Sequence, residues 1–363
     1  MAPKPTSTKR LVTLADVARY VNVSPRTVSQ VLNGSENATT RVSEETAWKV
    51  REAAEVLKYR PSASARAMKG KGLRQVGFIL EYEFLDGRVP PVIGMPAVLG
   101  IGDYLAEKDW NLSICREQRG GLDSSRLPRY LREHSVDGLI LNSSSPAKDA
   151  KILEELRKFE IPHVVLNGCS PSNSICLDDV AGIQKALTHL IQLGHSKIVY
   201  VGKKEESHHS VGVRRNAYLE GMSQTGLLPQ VWHYGTGPVA DQSEKSRISK
   251  RRAESLGIVE YFREKQPTAF LCYSDINALH VSQALLGAGV RVPEDVSIVG
   301  YDDLPYVYLN HPALTTVRSE FYQLGLEAAK MLLDLVAKPS SEFPSVVIQP
   351  EMIVRSSTCP PSS

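Results

Sequence analysis

Residues 12–34 read VTLADVARYVNVSPRTVSQVLNG, and the order of caps and apolar positions in this stretch decides what kind of module opens the chain. Thr13 stands three residues ahead of Asp16, so its hydroxyl can accept the N–H of that residue while the carboxylate reaches back, and a helix starts there. Leu14, Val17, Ala18 and Val21 recur at helical spacing and form one narrow apolar face, with Arg19 outside it. Asn22 suits a turn. Ser24 and Pro25 then supply an N-cap hydroxyl and a proline at the first helical position, where a missing N–H costs nothing. The second helix turns Val28, Val31 and Leu32 inward and stops at Asn33-Gly34. Two helices one short turn apart make a helix-turn-helix.

The outward face of the second helix carries Arg26, Thr27, Ser29, Gln30 and Asn33, all hydrogen-bonding groups and none acidic. An arginine fork fits guanine O6 and N7, and a glutamine amide fits adenine N6 and N7, so this is a candidate recognition helix. A third helix is expected from Ser43 to about Leu57, with Val50, Ala53, Ala54 and Leu57 inward and Glu44 and Glu45 in its first turn. Residues 59–72 follow, small and basic. They hold one short helix at most, from Ser62 to Met68, too poor in apolar area to be stable alone. Residues 1–74 carry 14 Lys and Arg against 6 Asp and Glu, a net of +8, while the remainder of the chain is net −5. That asymmetry fits a nucleic-acid-binding module joined to something else.

Working outward past residue 75, short apolar strands alternate with amphipathic helices. QVGFIL, a helix near Val98–Lys108, WNLSIC, a helix near Leu127–His134, VDGLILN, a helix near Ile152–Phe159 and PHVVLN form a first set. The second set is a helix from Val180 to Leu193 closed by Gly194, strand KIVYVG, helices at Val213–Gly226 and near Leu256–Arg263, strand TAFLCY, a helix at Asp275–Leu286 and strand VSIVGY. Such alternation implies parallel, doubly wound sheets in two lobes facing a cleft. Ligands then sit beyond the carboxyl ends of the strands, at Tyr82 and Phe84, Asn142 to Ser145, Asn167, Lys203 to His209, Tyr273 to Asp275 and Tyr301 to Asp303. These aromatic, amide, hydroxyl and charged groups suit a small polar ligand.

The whole chain has 363 residues, 42% hydrophobic and 23% charged, enough for two or three globular domains and unlike a disordered chain. Its longest uncharged apolar stretch, Val89–Gly102, is broken by prolines and glycines and is shorter than the ~18 residues a membrane helix needs. No secretory signal opens it, so the cytoplasm is expected. Five scattered cysteines, Cys115, Cys169, Cys176, Cys272 and Cys359, include no CxxC pair and read as small buried hydrophobes. No GxSxG, GxxxxGK[ST] or HExxH is present, and Gly100-Ile101-Gly102 lies in a helical pattern, not after a strand. His208-His209 and His195 lack a completing carboxylate or cysteine and are read as a solvent-exposed loop, not a metal site. The expectation is a binder with no cofactor, not an enzyme.

At this density of motifs a resemblance is specific. Residues 12–34 with VSEETAWKVREAAEVLKYRPSASARAM resemble the head and hinge of the lactose-repressor (LacI/GalR) family of bacterial transcription regulators, and LDDVAGIQKALTHLIQLGHSKIVYVG, VPEDVSIVGYDDLP and PALTTVRSEFYQLGLEAAKMLLDLV continue it in order. The resemblance implies an N-terminal all-α helix-turn-helix DNA-binding head plus an α/β periplasmic-binding-protein-like effector domain of two doubly wound lobes. The expected limits are 1–59 for the head, 60–74 for hinge helix and linker, and 75–363 for effector binding and dimerisation. Within the last, one lobe takes about 75–178 and 309–338, the other about 179–308 and 339–363. The implied DNA contacts are Thr13, Ser24, Pro25, Arg26, Thr27, Ser29, Gln30 and Asn33 in the head and Ala65, Met68 and Lys69 in the hinge. Met68 stands where the family wedges a leucine between base pairs. The implied effector contacts are Arg214 and Asp275, with Tyr82 and Ser144 from the other lobe. Implied partners are palindromic operator DNA, a sugar-like small molecule and a second copy of the chain, with no membrane. Ser274, Ala217 and EYEFLDGRVPPVIGMP depart from the family's usual asparagine, glycine and asparagine-proline-phenylalanine at those places, leaving the effector open. A two-lobed solute-binding receptor without a transcriptional role is the alternative. It would need an export signal and no head.

Overall fold

In the head, three helices close on six buried side chains. Helix α1 (Leu14–Tyr20) opens on a full capping box: Thr13 Oγ1 accepts the Asp16 N–H at 3.4 Å, and the Asp16 carboxylate accepts the Thr13 N–H at 2.9 Å. Helix α2 (Pro25–Asn33) is capped by Ser24, whose Oγ accepts the Thr27 N–H at 3.0 Å, and α3 (Glu44–Val56) by Ser43. Val17, Ala18, Val28, Val50, Ala53 and Ala54 are buried together, with Leu14, Val21, Val31, Leu32 and Leu57 packed around them. This computed structural model describes residues 11–33, 42–62, 72–80, 94–116, 133–143, 146–168, 170–203, 208–234 and 244–362, with Ala65, Ala67, Met68 and Gly70 between the first segments. In the expected hinge, Ala65 and Ala67 are helical and Ser62 Oγ accepts the Ala65 N–H at 3.3 Å. Residues 1–73 form one compact unit and 74–363 another.

The larger unit contains two six-stranded sheets. The first takes β1 (Gln75–Leu80), β2 (Asn111–Arg116), β3 (Gly138–Asn142), β4 (His163–Leu166) and β5 (Ser174–Leu177), with helices α4 (Gly94–Glu107) and α5 (Pro146–Lys158) between strands. The second takes β6 (Ile198–Lys203), β7 (Gln230–Tyr234), β8 (Ala269–Cys272), β9 (Ser297–Asp302) and β10 (Thr315–Arg318). It is wound by α6 (Asp179–Gln192), α7 (His209–Gln224), α8 (Glu244–Lys265) and α9 (Asp275–Gly287). Then α10 (Phe321–Ala337) and β11 (Val346–Ile348) return to the first sheet, and β12 (Glu351–Ile353) ends in the second. Among the described strands every pairing is parallel except β10 with β12. No described helix is long and apolar enough to cross a membrane.

The chain therefore changes lobe at residues 178–179, 319–320 and 349–350, not at the 309 and 338–339 expected from sequence. The strand TTVR pairs with β9, and it is α10 whose apolar face, with Leu324, Ala328 and Leu332, joins the first core. Two glycines set that packing. A Cβ on Gly100 of α4 would lie 2.1 Å from the Tyr322 carbonyl oxygen, and one on Gly325 of α10 would lie 2.0 Å from that of Ala97. The helix backbones thus approach more closely than any side chain permits. Gly194, at φ +97°, ends α6 as its position predicts. Cys176 and Cys272 are buried, whereas Cys115 and Cys359 are half-buried; Cys169 lies outside the described residues. The helix expected at 127–134 falls largely outside them too.

Candidate functional site

Because Val28 is locked into the head's core, the opposite face of α2 is fixed in register, and Pro25 and Arg26 are exposed at its first turn. No acidic residue stands in that turn, so the helix N-terminus is electropositive as well as open. Thr27, Ser29 and Gln30 are half-exposed on the same helix. Thr13 and Ser24 serve first as caps, and the Ser24 and Thr27 hydroxyls meet at 2.8 Å. Asn33 closes α2 but its side chain, like Lys69, lies outside the described residues. Met68 is 89% exposed and Ala65 is exposed.

In the larger unit, a polar cluster occupies the carboxyl ends of β8 and β9. Arg214 comes from the second turn of α7 and is 5% exposed, not the surface cation its sequence position alone would suggest. Its Nε donates to Asp179 Oδ1 at 2.7 Å, and one terminal nitrogen donates to the Tyr273 carbonyl at 2.8 Å and faces Asp302 Oδ1 at 3.5 Å. The guanidinium lies 3.6 Å from the centre of the Tyr301 ring and 4.9 Å from that of Tyr273. Burial by itself would lower the arginine's pKa, but Asp179 and Asp302 hold it firmly charged. Asp302 is pushed up to about 6, chiefly by burial and against the pull of Arg214.

Of the two described effector candidates, Asp275 is buried more deeply than Arg214. Expected as an effector contact, it is 0% exposed and both its oxygens are engaged. Oδ2 accepts the Leu304 N–H at 2.7 Å and Oδ1 accepts from Thr316 Oγ1 at 2.5 Å. Burial, then the neighbouring Asp302, pushes its pKa up to about 8. A carboxyl at the first position of α9, beneath β9 and β10, finds these donors before it can find solvent, so it braces the scaffold behind Arg214. Ser274, not Asp275, caps α9, with its Oγ accepting the Asn277 N–H at 3.4 Å. Tyr82 and Ser144 lie outside the described residues.

The histidines also differ from expectation. His208 is no exposed loop residue: its Nδ1 accepts the Ser210 N–H at 3.2 Å as the cap of α7, and its Nε2 bonds the Asn167 carbonyl of the first lobe at 3.1 Å. Burial, with His209 and Arg214 adding to it, drops its pKa to about 3, so the ring is neutral and carries its proton on Nε2. His195 is buried with Nε2 against the Cys359 carbonyl at 2.9 Å. Among the described residues no cluster of three or more His, Cys, Asp and Glu side chains could hold a metal. Sequence reasoning overlooked Asp179 and, although it placed His208 among the strand-end positions, gave it no part as a helix cap. Asp179 sits in LDDVAG without a motif of its own, and histidine is not a usual helix cap.

Comparison with known proteins gives two family matches. Residues 13–62 match "Bacterial regulatory proteins, lacI family", and residues 187–358 match "Periplasmic binding protein-like domain". The HTH-type transcriptional regulator RegA of Clostridium saccharobutylicum is 30% identical over 352 residues, 95% of this chain and 98% of the relative. The HTH-type transcriptional repressor PurR of Aliivibrio salmonicida (strain LFI1238) is 30% identical over 354 residues, 96% and 99% of the two chains. Among solved structures, the lac repressor dimer bound to operator and the anti-inducer ONPF superposes with a TM-score of 0.79 at 26% identity, over 96% of this chain and all (100%) of that one.

Proposed function

The chain belongs to the lacI family of bacterial regulatory proteins and is a DNA-binding transcriptional regulator, and from that premise we propose a homodimeric, cytoplasmic repressor of operator DNA controlled by a sugar or sugar derivative. The carrying observation is the capped helix α2, which turns Pro25, Arg26 and Gln30 outward from a core-locked register with no acid in its first turn. Two such helices on a dimer reach successive major grooves of a palindromic site. Thr27, Ser29 and Asn33 add polar contacts along the groove, and Ala65, Met68 and Lys69 follow the duplex between the half-sites. A dimer is supported by Met95, Leu99, Ile114 and Tyr322, apolar side chains exposed on the neighbouring elements α4, β2 and α10 of the first lobe. A solute-binding receptor would share the lobes but has no use for the head, and the relatives are transcriptional regulators, which supports a protein that binds.

The effector would lie between the lobes and touch Arg214 from one side and Tyr82 and Ser144 from the other, with Asp275 bracing the arginine's surroundings. Its occupancy shifts the population of lobe arrangements and hence of DNA-competent dimers. The lac repressor has been solved bound to operator and the anti-inducer ONPF and, separately, bound to ONPG, which supports this class of ligand. A thermal-shift screen of neutral sugars, sugar acids and nucleosides on the full-length protein tests it, because a ligand at 100 times its dissociation constant adds ~2.7 kcal/mol. A hit that also changes operator affinity is the expected result. Stabilisation by no sugar, with a nucleoside stabilising instead, would replace the ligand class.

A further inference from the structure

Three crossovers join the lobes, and one guanidinium grips the first and reaches the second through Asp302. The first crossover holds Asp178 and Asp179, the second Ser319 and Glu320, the third Gln349 and Pro350. Asp178 ties first to third: its N–H donates to the Ile348 carbonyl at 3.0 Å, and its Oδ2 accepts from Gln349 Nε2 at 2.9 Å. Arg214 ties first to second. Its Nε grips Asp179, and its terminal nitrogen faces Asp302, whose Oδ1 accepts from Ser319 Oγ and whose carbonyl accepts the Ser319 N–H, each at 3.4 Å.

The cluster is hard to account for as a source of stability. A buried ion cluster of this kind is commonly matched or bettered by apolar side chains of similar volume. Asp302 also sits at φ 112°, a conformation that costs a non-glycine residue strain. Position accounts for both costs. Where a fixed planar fork is held beside two rings, two carboxylates from different elements, a helix start and a strand end, can be kept at a set separation, and here one carboxylate belongs to one crossover and the other bonds a second.

We propose that Asp179 and Asp302 are positioning residues that make Arg214 the clasp of the interlobe hinge, so that whatever draws on Arg214 in the cleft changes the hold on two crossovers at once. The inference rests on the effector reading for what moves the clasp. The experiment contains no ligand, so its failure is distinct from failure of that reading.

Hydrogen exchange on the full-length protein decides it, comparing the parent with Asp179→Asn, Asp302→Asn, Arg214→Lys and Leu187→Ala. Asp179→Asn, which weakens a charge-assisted bond, should speed exchange in peptides spanning 178–181 about tenfold while 319–321 changes much less. Asp302→Asn should do the reverse. Arg214→Lys, with no fork, should loosen both. Leu187→Ala, a cavity in the second lobe's core, should lower the melting temperature without singling out a crossover. If Arg214→Lys does not fold, the two near-isosteric Asp→Asn variants decide alone. Exchange accelerated evenly through the second lobe in both Asp variants, as in Leu187→Ala, or crossovers at parental rates in a folded Arg214→Lys, would overturn the clasp.

Discussion

Arg26 and Asp275 carry opposite lessons about what one side chain reveals. Arg26 is exposed on a helix whose inner face is locked, as the proposed reading of a base edge requires. Arg26→Ala should cost ~1 to 3 kcal/mol on the specific site and relax preference at one base pair per half-site. Competition binding against random duplex checks this, and equal loss on both sequences would remove Arg26 from base reading. Asp275 is sealed beside Asp302 and Asp303, with a folded pKa of about 8 against an ordinary 3.8. Between those values the folded chain holds a proton the unfolded chain has lost, so stability falls as pH rises through the window. Asp302, raised to about 6, adds a slope of the same sign that ends lower, and His208, lowered to about 3, adds the opposite slope below pH 6.5. From about pH 6.5 to 8 the decline belongs mainly to Asp275. Urea unfolding at both pH values should show it in the parent and a flatter profile in Asp275→Asn; an unchanged slope would place its carboxyl outside the titration.

Helices α4 and α10 meet where Gly100 and Gly325 admit the opposing carbonyl oxygens at about 2 Å from where a Cβ would be. Because the obstruction is backbone, no rotamer relieves it, and Gly325→Ala should cost about 3 kcal/mol or more by forcing the helices apart. The drop would appear as a lower urea midpoint, and a stability within 1 kcal/mol of the parent would mean the pair separates freely. This contact was invisible in sequence, where Gly100-Ile101-Gly102 showed only as two glycines within a helical pattern. The caps and apolar spacing of α1, α2 and α3 were legible because Thr13, Ser24 and Ser43 are strong local signals. Strands β5, β7 and β10 were not, being 4 or 5 residues long and lacking punctuation. Helix α8 runs 22 residues, but its first half is too polar to show an apolar stripe, so only the stretch near Leu256 stood out. Helix α7 begins four residues ahead of expectation because its cap is His208. Of the candidate site, Arg214 was named by the resemblance, near a helix start, but its partners come from Asp179 and Asp302, 35 and 88 positions along the chain, a proximity that only topology creates.

A net charge of +8 on residues 1–74 against −5 on the rest divides the molecule into a part that seeks phosphate and a part that does not. A single small head has a six-residue buried core and one exposed helix, too little surface to bind a specific site tightly against competing DNA. Joining two heads makes the second contact intramolecular and multiplies both affinity and salt dependence. The apolar side chains left open at Met95, Leu99, Ile114 and Tyr322 supply a surface on which two copies can join without involving the heads. Light scattering should therefore give twice the chain mass at concentrations that saturate a palindromic duplex. If each head neutralises about four phosphates, log affinity should fall with log salt at a slope of about −7, and Leu99→Asp should break the dimer and bring the slope to about half. A monomeric mass at saturation, or a slope unchanged by Leu99→Asp in a protein shown to be monomeric, would mean that one head suffices and that the two-fold reading of the operator is wrong.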